Sequence, residues 1–313
     1  MRRLLLIAAV TSVGAAACTT RGTEENALRR GDEAFAFGNY TEALAEYRLA
    51  VRQGSDDPAV AARVAHTYAM IGRVDDAGAY YLEAASKDPG LADQAVSDLM
   101  HLAREAQKTN DNFAMATAVE TALQLRAGIG VGDMSLPLAR HYFRSGEYGR
   151  ALPFYQKAMA EATDSAPEIV FEVGQAYEEI GDCQKALIYF EQFRGMVRRW
   201  ERGEVDWYIG TCAFTRARDL RSRSALAPEE LTEALTLIER AIEVGEPRNI
   251  QAQAWFEKGE ILSGMGECEL SMDAYVQVRF ADQGWALIER AQARHDEIRF
   301  GRGLEGLRDG RCR

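Results

Sequence analysis

Proline is scarce, 7 in 313 residues, so long stretches lack the residue that most reliably ends a helix. Ala, Leu, Glu and Arg fill those stretches, a helix-forming composition. Histidine is scarcer still. His66, His101, His141 and His295 are scattered, with no pair at ligand spacing and no His–Cys cluster, so neither a metal nor another cofactor is expected. Positive charge is in the minority: 37 Lys and Arg against 48 Asp and Glu leave a net charge of -11. A surface that negative repels phosphate backbones, which excludes nucleic acid as a partner. No Gly-x-Ser-x-Gly elbow occurs. The run Gly128-Ile129-Gly130-Val131-Gly132 has no strand before it and no Lys-Ser/Thr after it, and reads as a linker. Acidic pairs such as Glu178-Glu179 suit a solvated helix face. A catalytic site is therefore not expected. Long apolar runs are missing too: Leu4 to Val13 falls short of the ~20 residues that a membrane-spanning helix needs.

That apolar run is part of the clearest targeting signal. Arg2-Arg3 make a short basic start, and Gly14-Ala15-Ala16-Ala17 precede Cys18, the layout of a secretory signal with small residues at its cleavage site. Residues 1–17 are expected to be a signal peptide. The segment resembles a bacterial lipobox, although Ala15 stands where such boxes usually carry Leu. The resemblance implies acylation of Cys18, with 18–23 as lipidated N-terminus and short tether. Thr19, in place of the Asp that retains many such proteins at the inner membrane, implies the outer membrane. Ordinary cleavage near Ala17 is the alternative, and would leave a soluble periplasmic protein.

One short pattern recurs along the rest of the chain: a Gly, an apolar residue two on, a small residue three further, an aromatic four beyond that. It reads Gly38, Tyr40, Ala43, Tyr47; then Gly72, Val74, Ala77, Tyr81; then Gly146, Tyr148, Ala151, Tyr155; then Gly181, Cys183, Ala186, Phe190; and Gly266, Cys268, Ser271, Tyr275. Adjacent copies lie about 34 or 35 residues apart. Gly suits a turn with positive φ, the small residue lets a second helix approach a first, and the aromatic fills the space before the next pair. Upstream of each turn, Gly31, Ala65, Ala139, Gly174, Gly210 and Gly259 occupy a matching position. Glycine inside a helix costs about 1 kcal/mol against alanine, so its recurrence there points to tight crossing. Tyr68, Tyr142 and Tyr177 follow three later on the same face.

These columns resemble those of tetratricopeptide-repeat proteins. The resemblance implies an all-α, right-handed superhelical solenoid of about seven hairpins over 24–284, followed by a capping helix and irregular tail over 285–313. The hairpins fall near 24–57, 58–91, 97–130, 132–165, 167–200, 203–247 and 252–284. The third is degenerate, with Asn110-Asp111-Asn112 at its turn, and Arg216 to Ala227 reads as an insertion within the sixth. Four cysteines lie beyond the leader, an even number that suits disulfides in an exported chain. Cys183 opens the second helix of hairpin five and Cys212 sits in the helix after it. Cys268 holds the same column in hairpin seven, ahead of Cys312 in the tail. The register therefore pairs Cys183 with Cys212 and Cys268 with Cys312.

In tetratricopeptide arrays the first helix of each hairpin lines a concave groove. By that register the lining here is Arg29 and Phe35, then Arg63 and His66, then Arg140, Phe143 and Arg144. Phe171, Glu172, Gln175 and Glu179 follow from hairpin five, then Trp207, Tyr208 and Phe214, and last Phe256, Glu257 and Glu260. The expected groove is basic at its start, aromatic beyond its middle and acidic at its end, suited to a peptide or helix of opposite polarity. Phe171 and Trp207 fit an inter-hairpin core equally well. The Lys and Asn of a carboxylate clamp are absent. The expected function is a non-catalytic scaffold in the bacterial envelope, accessory to outer-membrane, secretion, pilus or cell-wall assembly. It would bind an envelope protein or peptide segment and attach to the membrane through Cys18. A soluble periplasmic adaptor or a glycan- or peptidoglycan-binding module are the alternatives.

Overall fold

The computed structural model describes residues 15–161, 166–223, 227–281, 285–300 and Cys312, with side chains from Thr23 onward. Every element of regular structure among them is helical. Hairpin one is α1 (Ala15–Ala36) and α2 (Tyr40–Arg52), hairpin two α3 (Pro58–Met70) and α4 (Val74–Lys87), hairpin three α5 (Ala92–Lys108) and α6 (Asn112–Leu125). Then come α7 (Ser135–Arg144) with α8 (Tyr148–Glu161), α9 (Pro167–Glu179) with α10 (Cys183–Met196), α11 (Gly203–Arg221) with α12 (Pro228–Val244), and α13 (Gln251–Met265) with α14 (Cys268–Ala281). A last helix, α15 (Trp285–Phe300), packs Ala291, Leu287 and Ile298 on Phe256, Tyr275 and Val278 of hairpin seven. Seven hairpins and a covering helix are thus present. Two boundaries differ from expectation. The stretch 18–23, expected as a tether, has a helical backbone continuous with α1. The first half of the expected insertion from Arg216 is helix as well, because α11 continues to Arg221, held by Arg216, which donates to Gln184 and Glu233. The leader before Ala15 and all of the tail but Cys312 lie outside the described residues.

The turns explain the first column. Gly38 has φ +77 and its counterparts fall in the same left-handed region, which costs glycine little. In the degenerate third hairpin Asn110 takes that place with φ +57, the non-glycine residue type best suited to it. Asp57, Asp111 and Asp182 then start α3, α6 and α10 by accepting from the backbone N–H of Ala59, Ala114 and Lys185. The small and aromatic columns make the core. Ala43, Ala77, Ala151 and Ala186 are fully buried, as are Tyr81, Tyr155 and Phe190, each large ring contributing about 2–3 kcal/mol by burial.

The recurring upstream glycines are notches. A Cβ on Gly31 would lie 2.6 Å from Tyr47, on Gly174 2.6 Å from Phe190, and on Gly259 2.6 Å from Tyr275. The ring of the second helix lies flat in the space that the glycine of the first leaves open. Gly210 meets backbone instead: its Cβ would stand 1.7 Å from the Glu246 carbonyl oxygen. The chain divides into two compact units, one ending at His141 and one starting at Tyr142.

Candidate functional site

The residues that follow Gly31, Ala65, Gly174 and Gly259 face the helix pair or helix that comes next, and each forms a joint there. In the N-terminal unit, Asp32 accepts a 2.7 Å hydrogen bond from the buried Tyr47 hydroxyl and lies 3.2 Å from Arg63 Nε on α3. One repeat later the polarity is inverted: His66 Nδ1 is 2.7 Å from Asp98 on α5, and the Tyr81 hydroxyl donates to the same carboxylate. In the C-terminal unit Gln175 donates to the Tyr208 hydroxyl at 3.0 Å, while Phe190 stacks on that ring at 4.9 Å. Glu260 accepts from Tyr275 at 2.5 Å and from Arg294 of α15 at 2.9 Å. Each joint thus combines a first-helix polar group, a second-helix ring and a polar group from the next hairpin.

The titration behaviour follows. Burial first, and then a hydrogen bond to a carboxylate, raises Tyr47, Tyr81 and Tyr275 beyond the usual phenol range. The hydrogen bond to Asp98 raises His66, against the opposing effect of its burial. Burial alone would raise Asp98 and Glu260. Hydrogen bonds from His66 and Tyr81 in one case, and from Tyr275 and Arg294 in the other, outweigh it and hold both below the ordinary carboxylate value.

Beside the N-terminal joints lie two concavities that share His66. The first, about 350 Å³, is lined by Asp32, Phe35 and Tyr47 from hairpin one, Ala62, Arg63 and His66 from α3, and Gln94 from α5. The second, about 460 Å³, runs on between α3 and α5, past Ala69, Met70, Asp98, His101 and Leu102. First helices of consecutive hairpins therefore line a depression made of these two adjoining hollows, the second of them the more apolar. Phe35 stacks against His66 with ring centroids 5.2 Å apart, which fixes the imidazole between the two hollows.

The expected groove residues do not all gather in one place. Phe35, Arg63 and His66 come together in the depression. Arg29 pairs with Glu33 on its own helix, both exposed. In the C-terminal unit Phe171 packs among Phe190, Phe193 and Tyr208, with Gln175 bonded to Tyr208 and Trp207 set edge-on to that ring at 5.1 Å. Phe143 packs on Tyr148 and Tyr155. Arg140 and Glu172 are half-buried, Arg144 and Glu179 exposed.

Two assignments are corrected. Phe214 is 6% exposed within the core of hairpins six and seven, and Phe256 is 7% exposed beneath the α15 guanidinium of Arg290. Neither reaches a groove, since α11 turns Phe214 toward α12 and α15 covers Phe256. The expected gradient from basic to acidic is corrected as well. Arg63 is paired with Asp32, His66 with Asp98, Glu257 with Arg221 and Glu260 with Arg294, so each charged column carries its own counter-charge. Sequence reading missed Asp32 and Asp98, although both occupy positions in register with residues it had singled out.

The four cysteines form two bridges. Cys183–Cys212 links α10 to α11, with Cα atoms 5.1 Å apart, and Cys268–Cys312 ties the C-terminal segment to α14, with Cα atoms 5.5 Å apart. Cys312 is further clasped by Ser263, whose carbonyl accepts from the Cys312 N–H and whose hydroxyl donates to the Cys312 carbonyl.

Comparison with known proteins agrees with this architecture. The family model described as tetratricopeptide repeat matches residues 28–92 and 136–198. A TPR repeat-containing thioredoxin of Arabidopsis thaliana is 25% identical over 155 residues, which is 49% of this chain and 23% of that protein; the chain thus spans about a quarter of that curated relative. Among solved structures, the C-terminal part of a TPR repeat-containing protein from Cytophaga hutchinsonii is 17% identical with a TM-score of 0.33, covering 84% of this chain and 98% of that one. YrrB, described as a TPR protein with an unusual peptide-binding site, is 14% identical with a TM-score of 0.34, covering 68% and 97%.

Proposed function

We propose that this chain, whose residues 28–92 and 136–198 match the tetratricopeptide-repeat model, holds a segment of a partner protein in the depression lined by α1, α3 and α5. The observation that carries the proposal is the pair of hollows sharing His66, together large enough for several consecutive side chains. Because the hollows are lined by rigid first helices, a bound segment would meet a preformed surface, which lowers the ordering cost of binding. The role is one of positioning, with no chemistry assigned to the groove. We place the protein in the bacterial envelope, anchored to the outer membrane through an acylated Cys18; the leader and the two disulfides, at home in an oxidising compartment, support that placement.

Site-specific photo-crosslinking in intact cells tests the groove. A benzophenone side chain at Phe35 or Gln94 is expected to capture a discrete partner, whereas one at Glu83, exposed on the outer helix α4, is not. Equal capture from both faces, or none from the inner one, would refute the groove. Mass spectrometry of the mature N-terminus tests the anchor: an unmodified N-terminus near residue 18 would leave a soluble protein.

A further inference from the structure

Successive helices of the C-terminal unit neighbour one another in chain order, α10 on α11, α12 on α13 and α14 on α15. Short connections between antiparallel helices place every link from a second helix to the next first helix at one edge. In the N-terminal unit that edge is acidic and carries no aromatic residue: Asp56, Asp57 and Asp88 occupy its links between α2 and α3 and between α4 and α5. In the C-terminal unit the links carry rings and arginines, with Glu201 and Glu246 among them. Trp200 is 75% exposed, Phe280 69% and Trp285 80%. The guanidinium of Arg198 lies 5.3 Å above the Trp200 ring and that of Arg279 4.6 Å above Phe280. Arg248, in the link between α12 and α13, is almost fully exposed and lies 3.4 Å from Glu246.

Three large rings mostly in water, two of them beneath guanidinium groups, are unusual for a solvated edge, and more so in a chain of net charge -11. We propose that this edge docks on an anionic lipid surface, with Trp200, Phe280 and Trp285 entering the headgroup layer and Arg198, Arg248 and Arg279 meeting lipid phosphates. Indole rings settle at the boundary between headgroups and acyl chains, and arginine forms bidentate contacts with phosphate. Basic side chains near the surface add to the attraction. A glycan would need rings side by side as a platform, whereas these come from links two hairpins apart. An acidic protein would use the cations and leave the rings unexplained. The proposal uses no residue of the groove and stands without the Cys18 anchor.

Vesicle co-sedimentation tests the idea, with the full chain carrying Cys18→Ser so that no acyl group contributes. Binding is expected to vesicles containing phosphatidylglycerol, to fall with added salt, and to shift tryptophan emission to the blue. Trp200→Ala/Phe280→Ala/Trp285→Ala is expected to weaken partition about tenfold or more, and Arg198→Glu/Arg279→Glu to remove the preference for phosphatidylglycerol over phosphatidylcholine. Phe37→Ala, at an exposed position of the N-terminal unit, is expected to change nothing. All these positions are exposed, so unchanged circular dichroism will show that the variants remain folded. No binding to the anionic vesicles, binding unaltered in the triple variant, or an emission shift with peptidoglycan fragments alone would overturn the proposal.

Discussion

Between hairpins one and two the joint is Asp32, Tyr47 and Arg63; between hairpins five and six the same columns hold Gln175, Phe190 and Tyr208. The helices cross in the same way at both, with the ring lying on a glycine notch. The chemistry that closes the joint differs. In the N-terminal unit it is a charge pair around a tyrosine hydroxyl, and between hairpins two and three the acid and the base have even exchanged sides. Between hairpins five and six it is ring stacking, reinforced by a disulfide from Cys183 and by the Arg240–Glu191 fork between α12 and α10, and only the last joint of that unit, Glu260 with Tyr275 and Arg294, returns to a charge pair around a tyrosine hydroxyl. Shape is therefore what the repeat specifies. Any complementary trio that fits around the notch will serve, so the two units should respond to different perturbations.

Reduction should separate them most widely. Each bridge is expected to contribute about 2–4 kcal/mol, so thiol reagents should lower hydrogen-exchange protection in α10, α11, α13 and α14 and leave α3 and α5 unchanged. Equal loss in both units would mean that the disulfides stabilise no particular region. Gly210→Ala comes next. Its new methyl meets the Glu246 carbonyl, a backbone atom that cannot rotate away, and a cost of about 3 kcal/mol is expected. Gly31→Ala meets only the Tyr47 ring and should cost less; thermal melts of the two variants give the ranking. Asp98→Ala should cost about 2 kcal/mol, because it strands the buried Tyr81 hydroxyl. Tyr81→Phe combined with Asp98→Ala should recover part of that loss.

The hairpins were legible because their signals are local and repeated: a turn residue, a small contact and a ring recur in fixed columns whatever surrounds them. Cysteine pairing followed from antiparallel register. The joints were not legible, because Asp32, His66, Gln175 and Glu260 share a position but no chemical type, and each finds its partner 31 to 34 residues on. Read one residue at a time, such a column looks like a groove of changing charge. Only the pair shows that the charge is already answered. Phe214 and Phe256 misled for a related reason: a first-helix aromatic reads alike on either face, and only the helix packed against it decides which is buried.

The smallest expected effect is also the one most specific to the N-terminal unit. His66 is raised above its ordinary value by its hydrogen bond to Asp98, so the folded chain holds that proton more tightly than the unfolded chain does. The stabilisation is then fully present below the unfolded imidazole value of about 6.5 and is lost as pH rises through the raised folded value. Asp98 works in the opposite direction, being held below its ordinary value, and loses its contribution only in acid. Between these limits the joint of hairpins two and three should be at its strongest. Exchange protection of α3 and α5 should therefore decline on going from mildly acidic to mildly alkaline buffer. Protection around Gln175 and Tyr208, a joint without a histidine or carboxylate, should not follow it. His66→Gln should flatten the profile, keeping a hydrogen bond to Asp98 without the charge. A profile unchanged in His66→Gln would place the sensitivity elsewhere and leave the His66–Asp98 pair as a neutral contact.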